Sequence, residues 1–206
     1  MSRYQIILLS FFLVILLWSG INPISQDNWI LENIPVFIGI ISLIIMGKYF
    51  KLSNLSYTLI AVYLLLPLIA SHYGVSGVPF GYTLGKWMGI ERNMYDRLTH
   101  FCFGLFLYFP IREIFYKITE KKTGLWSYYF PIEMSIMLSA VYEIFEWLAA
   151  ISVNPVLAAS FYGSQGDIFD TQKDMTNAII GAIIASIIAL ILSRKNIFTL
   201  NHASSN

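Results

Sequence analysis

Apolar residues along this chain come in long runs, such as LIAVYLLLPLIA and AIIGAIIASIIALIL, and charged or turn-forming residues gather between them. A helix needs about 20 largely apolar residues to cross the hydrocarbon core, with about 17–25 tolerated. Six segments meet that need, at about 5–21, 30–47, 55–71, 95–115, 127–151 and 174–193. Strands of a membrane barrel would instead alternate apolar and polar residues. The pattern predicts an all-α fold: a polytopic membrane helix bundle with six transmembrane helices, forming a single integral membrane domain over residues 1–206.

Composition agrees with that reading. Hydrophobic residues make up 57% of the chain and charged residues 12%, whereas a soluble domain carries about 25% charge. The net charge of +1 and the lack of a lysine-arginine run speak against a nucleic-acid partner. The bilayer itself is the expected partner, and protein partners are left open. A single cysteine, Cys102, excludes an intramolecular disulfide and reads as a small buried hydrophobe. Arg3 followed by the apolar stretch to Trp18 imitates a secretory signal, yet no small-x-small cleavage site follows, so the stretch reads as a retained first span.

Lysine and arginine set the orientation. With the N-terminus in the cytoplasm, the inner side collects Arg3, Lys48, Lys51, Arg112, Lys117, Lys121, Lys122, Arg194 and Lys195. The outer side keeps Lys86, Arg92, Arg97 and Lys173. Both termini are therefore expected inside, in a multi-pass membrane protein.

That topology brings three acidic groupings to one membrane level. Asp96 and His100 open the fourth span at its outer end. Glu143 and Glu146 close the fifth, and Asp167, Asp170 and Asp174 open the sixth. His72, at the outer end of the third, faces the same layer. The connections 72–94 and 152–173 lie on that side, the first rich in glycine and aromatics, the second with Gly163 and Gly166 near its end. Either can rest on the interface as a plain connector or fold back over a site.

Ionisable groups inside hydrocarbon are costly, so a membrane chain that keeps them has a use for them. Asp96 and His100, four residues apart, share a helix face that continues through Gly104. The imidazole can bind a metal while the carboxylate orients or joins it, or the two can form a self-contained pair with Arg97 turned to lipid phosphate. Glu143 and Glu146 cannot both stay ionised without a cation, an arginine or a proton, unless one of them reaches the headgroups. Tyr142 and Trp147 beside them fit an aromatic belt. Glu133 lies about 15 Å below Glu143 and marks either a proton path or a local polar contact. Helix capping accounts for Asp167 and Asp170. Asp174, Asn177 and Gly181 form a stripe down the sixth span, with Lys173 as the local counter-charge, and Gly181 with Ala185 permits close helix approach.

Carboxylates with one histidine describe an oxygen-rich site. The expected metal ligands are Asp96, His100, Glu143 and Asp174, and the expected catalytic carboxylates are Glu143 and Glu146. Asp167, Asp170, Lys173, Asn177, Arg97 and His72 fall at the rim or in support. Such a site favours Mg²⁺, Mn²⁺ or Ca²⁺, with zinc or iron as alternatives. The chain has no HExxH, P-loop or GxSxG sequence, so those protease, NTPase and hydrolase signatures are missing.

The ordered motifs YDRLTHFCFG, YEIFEW and GDIFDTQKDM on a six-span frame resemble the YjdF-type inner-membrane proteins of bacteria, from about residue 70 onward. A looser likeness reaches the VanZ-like proteins, which pair an aspartate and histidine at a span's start and an aspartate with a glycine seven residues on, here Asp174 and Gly181. The chain departs from that looser pattern at Asn177 and Glu146. The resemblance implies an envelope setting and brings no reaction with it. Three uses of the site stay open. A metal-dependent hydrolase or transferase would act on a lipid-linked or headgroup substrate. An ion- or proton-coupled transporter would use the same groups, although inverted repeats are not evident. A non-catalytic envelope protein, structural or regulatory, would hold them as buried polar contacts.

Overall fold

The computed structural model describes residues 2–120 and 124–194. Lys121, Lys122 and Lys195, which entered the charge asymmetry, lie outside the described residues. Among the described residues every regular element is helical: α1 (Arg3–Ser19), α2 (Gln26–Met46), α3 (Asn54–Tyr73), α4 (Pro79–Met88), α5 (Tyr95–Thr119), α6 (Trp126–Ser152), α7 (Pro155–Tyr162) and α8 (Asp170–Arg194). A 3₁₀ turn, Val75–Gly77, joins α3 to α4. Five helices, α2, α3, α5, α6 and α8, are long and apolar enough to cross a bilayer. The first helix is apolar but only 17 residues long. The expected count of six thus stands at five by length and hydropathy, with α1 short of it.

Local signals explain where the helices start. Ser25 and Ser53 cap α2 and α3 by accepting from the Asn28 and Ser56 N–H groups. Pro79 and Pro155 stand at the first turns of α4 and α7, where their missing N–H is no loss. These two short helices occupy the connections that the sequence left as irregular segments. Two boundaries also move. The second helix begins at Gln26 rather than near 30, which adds Asn28 to a buried face that also carries Glu32 and Asn33. The last begins at Asp170 rather than 174, so Asp170 and Asp174 both stand in its opening turns.

The closest packing joins α5 to α8. A Cβ on Gly104 would run into the Ala178 carbonyl oxygen, and one on Gly181 into that of Phe101. Ala178, Ala182, Ala185 and Ala189 carry the buried stripe on down α8, and Tyr108 packs against its lower part. Small residues let the backbones touch, and this dispersion contact holds helices together where lipid offers no hydrophobic drive. Large apolar side chains such as Ile38, Ile41, Ile187 and Ile191 point outward, as they would toward acyl chains.

Each end of the bundle is tied by buried polar groups. At one end Glu113 accepts from the Ser53 N–H at 2.9 Å, the Ser53 hydroxyl at 2.8 Å and the Ser56 hydroxyl at 2.6 Å. Beside it the Arg112 guanidinium lies 4.1 Å from the Tyr128 ring and donates to the Ser127 carbonyl at 3.0 Å. The opposite end holds α4, α7 and the acidic groupings.

Candidate functional site

Three helix ends build the site: the start of α5, the end of α6 and the start of α8. The α5–α8 contact through Gly104 and Gly181 sets the first α5 turns directly against the first α8 turns. Asp96, Arg97 and His100 of α5, Glu143 and Glu146 of α6, and Asp170 and Asp174 of α8 are all buried there.

The groups sort into two layers. Toward the connections, Arg92 and Arg97 share Asp167 and Asp170. Arg92 reaches Asp167 at 3.2 Å and Asp170 at 3.0 Å. Arg97 reaches the same two at 3.2 Å and 2.5 Å, and donates to the Asp170 carbonyl at 2.8 Å. Lys173, exposed, adds a 2.6 Å contact to Asp167. That hydrogen bond, helped by the Phe169 N–H, holds the Asp167 carboxyl below its ordinary value.

The deeper layer has fewer cations. The His100 Nε2 lies 3.6 Å from Asp96 Oδ1 and 3.4 Å from Glu143 Oε1. Asp174 pairs with Arg97 through Oδ2, while its Oδ1 is buried without a hydrogen bond. The Oε1 of Glu143 is likewise buried without one. Asp96, His100 and Asp174 each offer a ligand atom, and all three atoms lie within 4.8 Å of one another. Ligands of one ion at bonds of about 2.0–2.4 Å stand about 3–5 Å apart, so these donors fit a shared cation.

Beside His100 a cavity of about 30 Å³ opens between α2, α3, α5 and α6, room for water. Glu32, Tyr63, Asp96, His100, Tyr142 and Glu146 line it. The two connections cover this region: the Ser76 hydroxyl donates to the Gly163 carbonyl at 3.3 Å, and a Cβ on Gly163 would sit 3.4 Å from Asp96 Oδ2.

Several expected placements change. Arg97, expected at the rim or in support with lipid phosphate as its alternative partner, is the buried counter-charge of Asp174, because α8 packs too close to α5 to leave it another course. Lys173 pairs with Asp167 instead of Asp174. His72 stacks on Trp18 at 4.5 Å, with Nδ1 3.2 Å from the Ser19 carbonyl, apart from the acidic residues. Asn177 folds back onto the Lys173 carbonyl of its own helix at 2.8 Å. Tyr142 turns inward, its ring edge-on to His100 at 5.5 Å, rather than joining a belt. Glu133 faces outward beside Tyr129. Glu32 is the residue the sequence reading passed over. It accepts from Asn28 at 2.9 Å and from the Val75 N–H at 3.2 Å, and the Asn28–Glu32 spacing inside an apolar run was its signal.

Comparison with known proteins gives the setting without a reaction. No solved structure matches the chain. It is 33% identical over 170 residues to "Inner membrane protein YjdF" of Escherichia coli (strain K12), covering 82% of this chain and 81% of that one. Residues 4–195 match the family described as "Predicted membrane protein (DUF2238)". With nearly its whole length inside that match, the chain belongs to this family of multi-pass membrane proteins.

Proposed function

We propose that the chain is a six-span protein of the bacterial inner membrane, with both termini cytoplasmic. In this reading Asp96, His100, Glu143 and Asp174 hold a divalent cation at the outer-leaflet end of the bundle. The cation serves hydrolysis or group transfer on a lipid-linked or headgroup substrate. The observation that carries the reading is the spacing around His100. Its Nε2 stands 3.4 Å and 3.6 Å from two carboxylate oxygens. Those distances exceed the usual 2.7–3.2 Å of N–H···O bonds, and suit neighbouring ligands of one ion. The unbonded Asp174 Oδ1 and Glu143 Oε1 support it further, because buried acceptors without donors are costly. Oxygen-rich donors with one imidazole favour Mg²⁺, Mn²⁺ or Ca²⁺ over zinc or iron.

A divalent ion held by Asp96, His100, Glu143 and Asp174 would supply acidification of a bound water and compensation of phosphate charge. Glu146, which lines the cavity beside His100, would take the proton from that water, and Glu143 would serve as ligand. The cavity also favours a second reading. Glu32 and Glu146 face it together with His100, an arrangement suited to passing protons in an ion- or proton-coupled transporter.

Elemental analysis of the purified full chain tests the proposal. About one divalent ion per chain is expected, and His100→Ala and Asp174→Ala should each lower that content with helicity intact. A folded, metal-free protein indifferent to chelator would overturn it. Stability that instead follows the titration of the glutamates would then support the proton-coupled reading.

A further inference from the structure

A second concave surface lies at the same end of the bundle. An open groove of about 500 Å³ runs between α4 and the segment ahead of α8, lined by Tyr82, Lys86, Gly89, Ile90, Glu91, Arg92 and Gln165. Its walls are built rather than incidental. Gly81 and Gly85 let α4 lie hard against the 90–95 segment: a Cβ on Gly81 would strike the Asn93 side chain, and one on Gly85 the Arg92 carbonyl. Gln165 closes the far wall, accepting from the Asn93 N–H at 2.9 Å and donating to the Asn93 carbonyl at 3.0 Å.

The groove carries unspent positive charge. The Lys86 ammonium makes no ion pair among the described residues, whereas both Nη atoms of Arg92 are bonded to aspartates and its Nε is buried behind the groove wall. Glu91 is the opposing carboxylate in the lining. Around it α4 exposes Phe80, Tyr82, Trp87 and Met88, and Trp87 is 72% exposed. Exposed aromatics next to a cation at the ends of membrane helices are the composition of the headgroup layer. A soluble anion would need none of these apolar side chains.

We infer that this groove seats the anionic phosphate headgroup of a bilayer lipid, with Lys86 on the phosphate and the α4 aromatics in the acyl boundary. The assignment deepens the proposed function and rests on it for the outer-leaflet orientation and the class of substrate. Arg92 links the groove to the site, since it holds Asp167 and Asp170. A phosphate held by Lys86 in this groove is thereby set beside Arg92, at the edge of the acidic cluster.

The test uses the full chain in nanodiscs of equal phosphatidylglycerol and phosphatidylcholine, with lipids retained by the protein counted by native mass spectrometry. Wild type should retain phosphatidylglycerol in preference. Lys86→Gln should lower that preference about fivefold, the scale of one lysine at an anionic surface. Glu91→Gln should raise it. Both substitutions sit on exposed positions, so folding is preserved. Repeating the counts after chelator separates the two proposals, because the headgroup preference should survive removal of metal and the metal content of Lys86→Gln should match wild type. Equal retention of the two lipids by wild type, or no change in either variant, would overturn the inference. So would inorganic phosphate abolishing the difference between variants, which would make the groove a site for a soluble anion.

Discussion

Arg97 of α5 and Asp174 of α8 form a buried ion pair across the closest helix contact of the molecule, and the other oxygen of Asp174 is left without a hydrogen bond. The pair explains how α8 can start with aspartates inside the bundle. Removing one partner of a buried pair strands the other charge, which costs about 3–5 kcal/mol. Arg97→Gln should therefore lower stability in a denaturant titration by about that much, since Asp170 and Asp174 both lose their shared cation. Asp174→Asn in the Arg97→Gln background should recover part of the loss. A strictly additive double variant would show that the two residues do not act together.

The contact beneath that pair depends on two glycines. Gly104→Ala and Gly181→Ala each place a methyl group against a facing carbonyl oxygen, and overpacking of this kind costs about 1–3 kcal/mol. Gly39 of α2 is the control, because a Cβ there meets nothing within 4 Å. Gly39→Ala should raise stability by up to about 1 kcal/mol through helix propensity. The opposite signs, read from the same melts, separate close packing from intrinsic preference.

Orientation is checked by two single-cysteine variants. Ile90 follows α4 at the site end of the bundle, and Tyr49 follows α2 at the other end; both are exposed. A membrane-impermeant thiol reagent added to intact cells should label Ile90→Cys and leave Tyr49→Cys unlabelled until the membrane is opened. Cys102 is buried and should contribute little background. Labelling of both variants in intact cells would defeat the proposed topology.

The convergence of Asp96, His100, Glu143 and Asp174 was legible in the sequence because helical period and span order are enough to put helix ends at one level. The partners of those groups were not. Whether an arginine at a helix end turns outward or inward depends on how near the next helix comes, and that distance is set by Gly104 meeting Ala178, two residues far apart in the chain. Lys173 looked like the partner of Asp174 by adjacency, yet neighbours on a helix point about 100° apart, and Asp174 lies on the α8 face buried against α5 and α6 while Lys173 is exposed. Glu32 was hidden for another reason. The span placed by hydropathy over 30–47 contains Glu32 but leaves out Asn28, so the boundary cut through the polar pair that shares one helix face.

Asp167 offers a test on the acid side. The Lys173 hydrogen bond, and then the Phe169 N–H, hold its carboxyl below the ordinary 3.8. A carboxyl lowered in the folded state stabilises that state above its unfolded value, and the contribution fades as pH falls through the folded value. The loss should therefore appear at pH 3.8 and below. Asp167→Asn should be less stable than wild type at neutral pH and should converge with it in that acid window. Lys173 is exposed, so the difference should be small and shrink further with added salt. A gap between the two proteins that widens on acidification would contradict this account.

The proposed cation is tested most directly by linkage. A ligand that binds only the folded chain stabilises it by mass action, about 2.7 kcal/mol when present at 100 times its dissociation constant. Wild type should therefore melt at a higher temperature in Mg²⁺, Mn²⁺ or Ca²⁺ than in chelator. His100→Ala and Glu143→Gln remove donors that stand 3.4 Å apart, so each should melt at the same temperature in both buffers. Asp170→Asn is the informative contrast. Its carboxylate is already committed to Arg92 and Arg97, so this variant should be less stable in both buffers while keeping the full metal-dependent increment. If Asp170→Asn lost the increment along with His100→Ala, the cation would belong to the whole acidic cluster rather than to the His100 donors. If wild type melted identically with metal and with chelator, the four residues would not form a cation site. The buried Asp174 and Glu143 oxygens would then need protons as their compensation.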